Sequence, residues 1–385
     1  MNQNRSIALG VTAVVVLAAA LLVASLRSGG DTSGEKALYP SLKTEADSIN
    51  ALRIFKAGDE RVVELVRKDQ DWTVTERGGY PADSAKVRKL ILALSDAKTV
   101  EEKTSNPQNY AALGVEDVAT KDATGTRLEL AGGKTPINLI VGKSASGDKA
   151  YVRRAGEKPS WLLSTGIEVP TLLDAWLKRE LIDVAGDRIQ SAQVTVGNSS
   201  YSAAKPARAA ADFKVEGLPK GKEVIASAAA SFSTALQGLN LSEVRTTQQF
   251  GSAPPSATAT IKTFDGLVAQ LTGWVQENKR WVSITTSFDE AQAKKFALAP
   301  ASTEPADAPK DASAKEPAKE SNKSEQTTKA EPNPEQKVRE EATSTNQRLS
   351  GWVFEIPSYK YDVIFKPQDQ LVNKPVDNKA KLPGK

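Results

Sequence analysis

Residues Ile7 to Leu26, IALGVTAVVVLAAALLVASL, carry no charge, and as a helix rising about 1.5 Å per residue this run crosses a bilayer core of about 30 Å. After it the periodicity changes. RVVELVRKDQDWTVTE alternates apolar and polar side chains around Lys68 to Asp71, which predicts a β-hairpin. Pro81 and Asp83 then set up a helix N-terminus, and Val87, Leu90, Ile91 and Leu94 recur at helical spacing, so one stripe packs on a sheet. Further strand-like stretches follow, TRLELAGG, PINLIVGK, AYVRR and SWLLS, separated by glycine-containing turns.

The pattern then returns. At a shift of 141 or 142 positions, Leu52 and Ile54 fall on Val194 and Val196, and Asp71, Trp72 and Val74 on Asp212, Phe213 and Val215. Leu94 meets Leu236, while Glu101, Lys103 and Thr104 meet Glu243, Arg245 and Thr246. Gly125, Leu128 and Leu130 fall on Gly266, Ala269 and Leu271. Beyond these, Tyr151 and Val152 correspond to Trp281 and Val282, and Ser160–Leu163 resembles Gly351–Phe354. A near-constant offset through strands, helix and turns predicts an internal duplication. In the second half Phe232, Ala235, Leu236 and Leu239 take the place of the helical stripe. Runs of strands around one helix per half predict α+β lobes.

These readings divide the chain into a cytoplasmic tail at 1–6, a single transmembrane helix at 7–26, a linker at 27–45 and a first α+β lobe at 46–182. A second lobe begins at 183–298 and is completed by 349–372. The interval 299–348, rich in Ala, Pro, Lys and Glu, has too few large apolar residues to build a core and is expected to be a disordered insertion, as is the tail at 373–385. A long loop closes at a cost of only about 0.6 kcal/mol per doubling of length, so the strand around Trp352 can still rejoin its sheet.

Orientation rests on Arg5 before the apolar run against Arg27, Asp31 and Glu35 after it. The short head is expected in the cytoplasm and the large C-terminal part in the periplasm of a bacterial inner membrane. The run exceeds the apolar region of about 7 to 15 residues in a cleaved signal, and no small-x-small site precedes Arg27, so an anchor is expected. Gly10, Thr12 and Ala13 supply small side chains through which that helix could pack on others in lipid.

Composition narrows the chemistry. The 385 residues include no histidine and no cysteine, which removes the side chains most used for proton shuttling, thiol attack and zinc binding. The 51 basic and 47 acidic residues leave a net charge of +4, too balanced for a nucleic-acid groove. Gly142, Lys143 and Ser144 imitate the end of a phosphate-binding loop, but the position five before Gly142 is Ile137, a strand residue where the motif needs glycine. Ser146 and Lys149 have Ser-x-x-Lys spacing within SASGDK, a turn, and no Lys-Thr-Gly or Ser-Asp-Asn element completes that site. Glu101 and Glu102 read as a solvated face. Trp72, Trp161, Trp281 and Trp352 lie in strand-like segments and are expected in cores. Trp274 and Trp176, the latter near the junction of the lobes, are candidates for an interaction surface.

The strand pair with Asp71, Trp72 and Val74, then Tyr80–Asp83, the helical stripe, Tyr110, Leu113, Gly114, Gly125, IVGK and Tyr151–Arg153 together resemble the bacterial domain-of-unknown-function family 4340. The resemblance implies an envelope protein found beside components of an ABC transport system similar to the gliding-associated exporters. It supplies no catalytic residues, and the long insertion departs from its pattern.

The expected function is thus a non-catalytic accessory or scaffold subunit of a bacterial envelope complex, with the inner membrane and, from the resemblance, an ABC transporter permease as partners. A periplasmic binding module for a small ligand is the alternative, marked by a deep apolar pocket with a few polar groups. An envelope hydrolase comes third, marked by buried carboxylates with displaced pKa values. No cofactor, metal, nucleotide or nucleic acid is expected to bind this chain.

Overall fold

The 60–74 alternation folds as a hairpin because its even and odd residues must face opposite sides of a sheet. In a computed structural model of the chain, which describes residues 34–219, 222–297 and 333–373, strands β3 and β4 of that hairpin belong to a ten-stranded antiparallel sheet. Its elements in chain order are β1 (Lys36–Ala37), α1 (Leu42–Glu45), β2 (Ala51–Lys56), β3 (Glu60–Lys68), β4 (Asp71–Val74), β5 (Tyr80–Pro81), α2 (Ser84–Asp96) and β6 (Lys98–Thr104). There follow α3 (Tyr110–Leu113), β7 (Thr126–Ala131), β8 (Ile137–Ala145), β9 (Lys149–Arg154) and β10 (Ser160–Leu163). The strands lie side by side as β1-β6-β10-β9-β8-β7-β2-β3-β4-β5.

Helix α2 is built as the sequence requires. The Asp83 carboxylate accepts the Lys86 amide at 3.0 Å, and Val87, Leu90, Ile91 and Leu94 are buried with Trp72 and Val74 of the sheet among the core residues. On the other side, α3 sets Tyr110 into a small cluster with Val115 and Ile140. Arg153, 2% exposed, stacks on the Tyr110 ring and donates to the Val115 carbonyl at 2.7 Å and the Glu157 carbonyl at 2.9 Å. This unit ends at Leu177. The expected linker at 27–45 is partly structure: β1 pairs with β6, and Leu38 and Leu42 are 1% exposed.

The second unit starts at Lys178 rather than at 183, because β11 (Glu180–Ile182) pairs with β15 (Leu239–Asn240) and carries Leu181 and Ile182 into its core. Its other strands are β12 (Ile189–Val196), β13 (Ser199–Ala204), β14 (Lys214–Glu216), β16 (Glu243–Thr246), β17 (Ala257–Thr263), β18 (Leu267–Gln276), β19 (Lys279–Phe288) and β20 (Trp352–Glu355). They form an eight-stranded antiparallel sheet in the order β14-β13-β12-β17-β18-β19-β20-β16. The helical stripe expected around Phe232 is shorter than in the first half: α4 (Ala226–Ala230) passes into a 3-10 turn at Ser231–Thr234, and Leu239 is already strand, though all four stripe residues are buried. Helices α5 (Thr247–Phe250), α6 (Glu290–Phe296), α7 (Pro334–Leu349) and α8 (Ser358–Ile364) complete the unit.

Helix α7 corrects the expectation of disorder through 348. Asn333 caps it, Pro334 opens it, and Val338, Ala342 and Leu349 are buried. Thr286 of β19 donates its hydroxyl to the Ala342 carbonyl at 2.6 Å, and its amide to the Asn346 side chain at 3.1 Å. A sparse stripe thus suffices when the sheet supplies partners. The rest of the expected insertion lies outside the described residues, as do nearly all of the expected tail and the whole expected spanning segment 7–26 with Gly10, Thr12 and Ala13. Among the described residues no helix is long and apolar enough to cross a membrane.

Candidate functional site

The first unit holds a cavity of about 830 Å³ between α2, the β8–β9 hairpin and the segment 166–176. Helix α2 contributes Lys86, Lys89, Leu90 and Ala93, which share one face by their spacing of three and four. Lys86 is partly committed: its ammonium donates to the Ala175 carbonyl and lies 3.9 Å from Asp83. The Asp83 amide donates to the Trp176 carbonyl at 2.8 Å, and Ala82 bridges Leu177, so the start of α2 and the segment before Leu177 close one end of the cavity together.

The hairpin forms the facing wall. Gly147 and Asp148 turn the chain at φ of 74° and 54°, conformations that glycine and aspartate tolerate, and the Asp148 carbonyl accepts the Gly166 amide at 2.6 Å. Glu168, just beyond, also lines the cavity, as do Ser144 and Lys149. Leu90, Ala150, Ile167 and Trp176 make an apolar floor, each buried.

Trp176 is therefore interior. Its ring is fully buried and its indole N–H donates to the Pro170 carbonyl at 3.0 Å, so it presents no surface to a partner. Trp274 is half-buried: its ring meets Phe250 edge-on at 5.2 Å, and its N–H donates to the Ala253 carbonyl at 2.9 Å. Trp72 and Trp281 lie in cores, at 6% and 1% exposure, whereas Trp161 and Trp352 are only half-buried.

The phosphate-loop imitation has a structural cause. A Cβ on Gly142 would lie 2.4 Å from the Leu113 carbonyl, so only glycine lets β8 pass under the end of α3. Lys143 donates to the Ala111 and Ala112 carbonyls at 3.0 and 3.1 Å, capping that helix, and Gly114 ends it in the left-handed region at φ 69°. Ser146 sits in the hairpin turn, as the sequence indicates, and Lys149 opens β9. Glu101 and Glu102 are exposed on β6, paired with Lys103 and Ser105.

Displaced titrations occur away from the cavity. In the second unit burial alone would raise the Asp265 carboxyl, but hydrogen bonds from Arg188 and Thr263 outweigh it and hold the group below the usual carboxylate range. Arg188 joins Asp265 to Glu341 of α7, a link across 153 positions that no local pattern announces. Burial pushes Tyr361 up to about 12 and Tyr39 and Tyr201 higher still, and desolvation lowers Lys360. Among the described residues no cluster of three or more acidic side chains could hold a metal ion.

No curated protein and no solved structure matches the chain. The family model of a domain of unknown function (DUF4340) matches residues 72–263, from Trp72 of β4 to Thr263 at the end of β17, and so takes in every residue that lines the cavity. The chain belongs to the DUF4340 family.

Proposed function

We propose that this protein is a non-catalytic scaffold or accessory subunit of a bacterial envelope complex, anchored by residues 7–26 in the inner membrane with its N-terminus cytoplasmic and its two units periplasmic. The observation that carries this reading is how the arginines are used. Arg153 fastens Val115 and Glu157 to the first sheet, Arg188 fastens α7, and Arg348 donates to the Glu180 and Leu181 carbonyls at 2.8 and 2.7 Å. Charges spent on joining the fold's own elements, to backbone carbonyls by Arg153 and Arg348 and to carboxylates by Arg188, suit units that act by presenting rigid surfaces. The partner we propose, an ABC transporter permease, comes from the family resemblance, and Gly10, Thr12 and Ala13 are suited to packing on its helices. Exchanging residues 7–26 for an unrelated spanning helix tests this: the amount of permease recovered with the chain should fall, and an unchanged amount counts against helix-mediated association.

We also propose that the two units arose by duplication. Read from β6, the first sheet runs β6-β10-β9-β8-β7-β2-β3-β4, and read from β16 the second runs β16-β20-β19-β18-β17-β12-β13-β14. Position by position this supports the correspondence of Glu101 with Glu243, Ser160–Leu163 with Gly351–Phe354, Tyr151 with Trp281, and Leu52 with Val194. One register differs. The constant shift aligns Leu128 and Leu130 of β7 with β18, whereas sheet position pairs β7 with β17.

A second reading, a periplasmic binding module, is favoured by the cavity, whose volume lies within the range of about 300 to 1,000 Å³ usual for small-molecule sites.

A further inference from the structure

Resting on the binding-module reading, we propose that the cavity of the first unit binds a short peptide with a free α-amino group and a free α-carboxylate, held between the lysines of α2 and the carboxylates of the facing wall. On the α2 wall, Lys86 and Lys89 stand one turn apart. The neighbouring carboxylate, Asp83, is engaged in capping the helix through the Lys86 amide. The opposite wall carries Asp148 and Glu168, brought together by the bond from the Gly166 amide to the Asp148 carbonyl. With Lys149 beside Asp148, that wall carries one net negative charge and forms the anionic end. Among the described residues Lys89, Lys149, Glu168 and the Asp148 carboxylate form no ion pair, so their charges are available to a ligand.

The charge pattern selects the ligand class. A simple anion would be attracted by α2 and repelled by Asp148 and Glu168, and a simple cation would meet the reverse. An uncharged ligand would strip water from unpaired charges, which is costly. A zwitterion brings the opposite sign to each wall, and its uncharged middle covers Leu90 and Ile167, with Trp176 lying just beneath. The volume of about 830 Å³ exceeds what one amino acid fills, so a short peptide suits it better than a single residue. Ser144 adds a hydroxyl for a backbone amide.

The test uses the full-length chain in detergent, labelled with 5-fluorotryptophan, with the Trp176 signal assigned from a Trp176→Phe variant. The probes are Ala-Leu-Ala, its N-acetyl form, its C-terminal amide and the doubly capped peptide. Ala-Leu-Ala should shift the Trp176 signal, and removing either end charge should weaken binding at least tenfold. Lys89→Gln should weaken Ala-Leu-Ala tenfold yet leave the C-terminal amide unaffected, and Asp148→Asn should do the same with respect to the N-acetyl form; thermal melts check that both variants fold. Equal binding of the doubly capped and free peptides overturns the proposal. So does a Trp176 signal that responds to small neutral apolar fragments but to no peptide, although the binding-module reading then stands. A signal that no peptide or fragment moves overturns both.

Discussion

Arg188 and Glu341, 153 positions apart, share two hydrogen bonds of 3.1 and 2.8 Å, and through them the turn that leads into β12 holds helix α7. The same guanidinium binds Asp265 through Nε at 2.8 Å. One arginine thus joins two turns and a helix that follows the longest unpatterned stretch of the chain.

Removing that link should be measurable. Glu341→Gln is expected to cost about 2 kcal/mol, within the range of about 1.5 to 3 for hydrogen bonds to charged groups and tempered by the partial exposure of Glu341. Chemical denaturation of the full chain checks this, and a loss below about 0.5 kcal/mol would mean that α7 is held by its apolar stripe and Thr286 without the Arg188 link.

Asp265 gives the link a pH dependence. Its folded-state pKa is lowered from 3.8, so its contribution to stability is complete above the unfolded-state value and is lost as pH falls through the lower folded value. Melting temperature should decline below about pH 5 as such carboxylates protonate. Asp265→Asn should melt below wild type at pH 7, with the gap closing towards pH 2. A gap that persists in acid would assign the effect to packing.

Gly142→Ala should destabilise by about 1 to 3 kcal/mol as an overpacked contact, because the added Cβ meets the Leu113 carbonyl, a backbone atom that cannot swing away. Gly147→Ala is the contrast: nothing lies within 4 Å of its Cβ, so any cost there comes from φ alone. Equal stability of wild type and Gly142→Ala would remove the close approach as the reason for glycine.

Trp72→Ala should cost about 3 to 5 kcal/mol as a core cavity, read from urea unfolding. An unchanged midpoint would contradict the burial of that ring beneath α2.

Much of this architecture is readable locally. The β3–β4 hairpin, the Asp83 cap and the stripe from Val87 to Leu94 are set by near neighbours, and those signals survive in a single sequence. Helix α7 is not readable that way, since its apolar positions are few and its hold on the sheet comes from Thr286 and Arg188, far away in the chain. Composition alone makes such a segment look disordered. Trp176 misleads for a similar reason: a tryptophan between two lobes reads as surface until Pro170 and the start of α2 are seen to enclose it. The cavity was legible only in pieces, because Gly142, Ser144 and Lys149 belong to motifs that fail as catalytic signatures, and nothing in sequence brings them opposite Lys86 and Lys89.

The claim that this protein acts through its contacts is tested most directly by the proteins that remain with the full-length chain after native membranes are extracted in several mild detergents. Scaffolding predicts that an ABC transporter permease is recovered in stable proportion to the chain. Recovery of the chain alone in every detergent, or turnover of an envelope substrate by the purified protein, would contradict it.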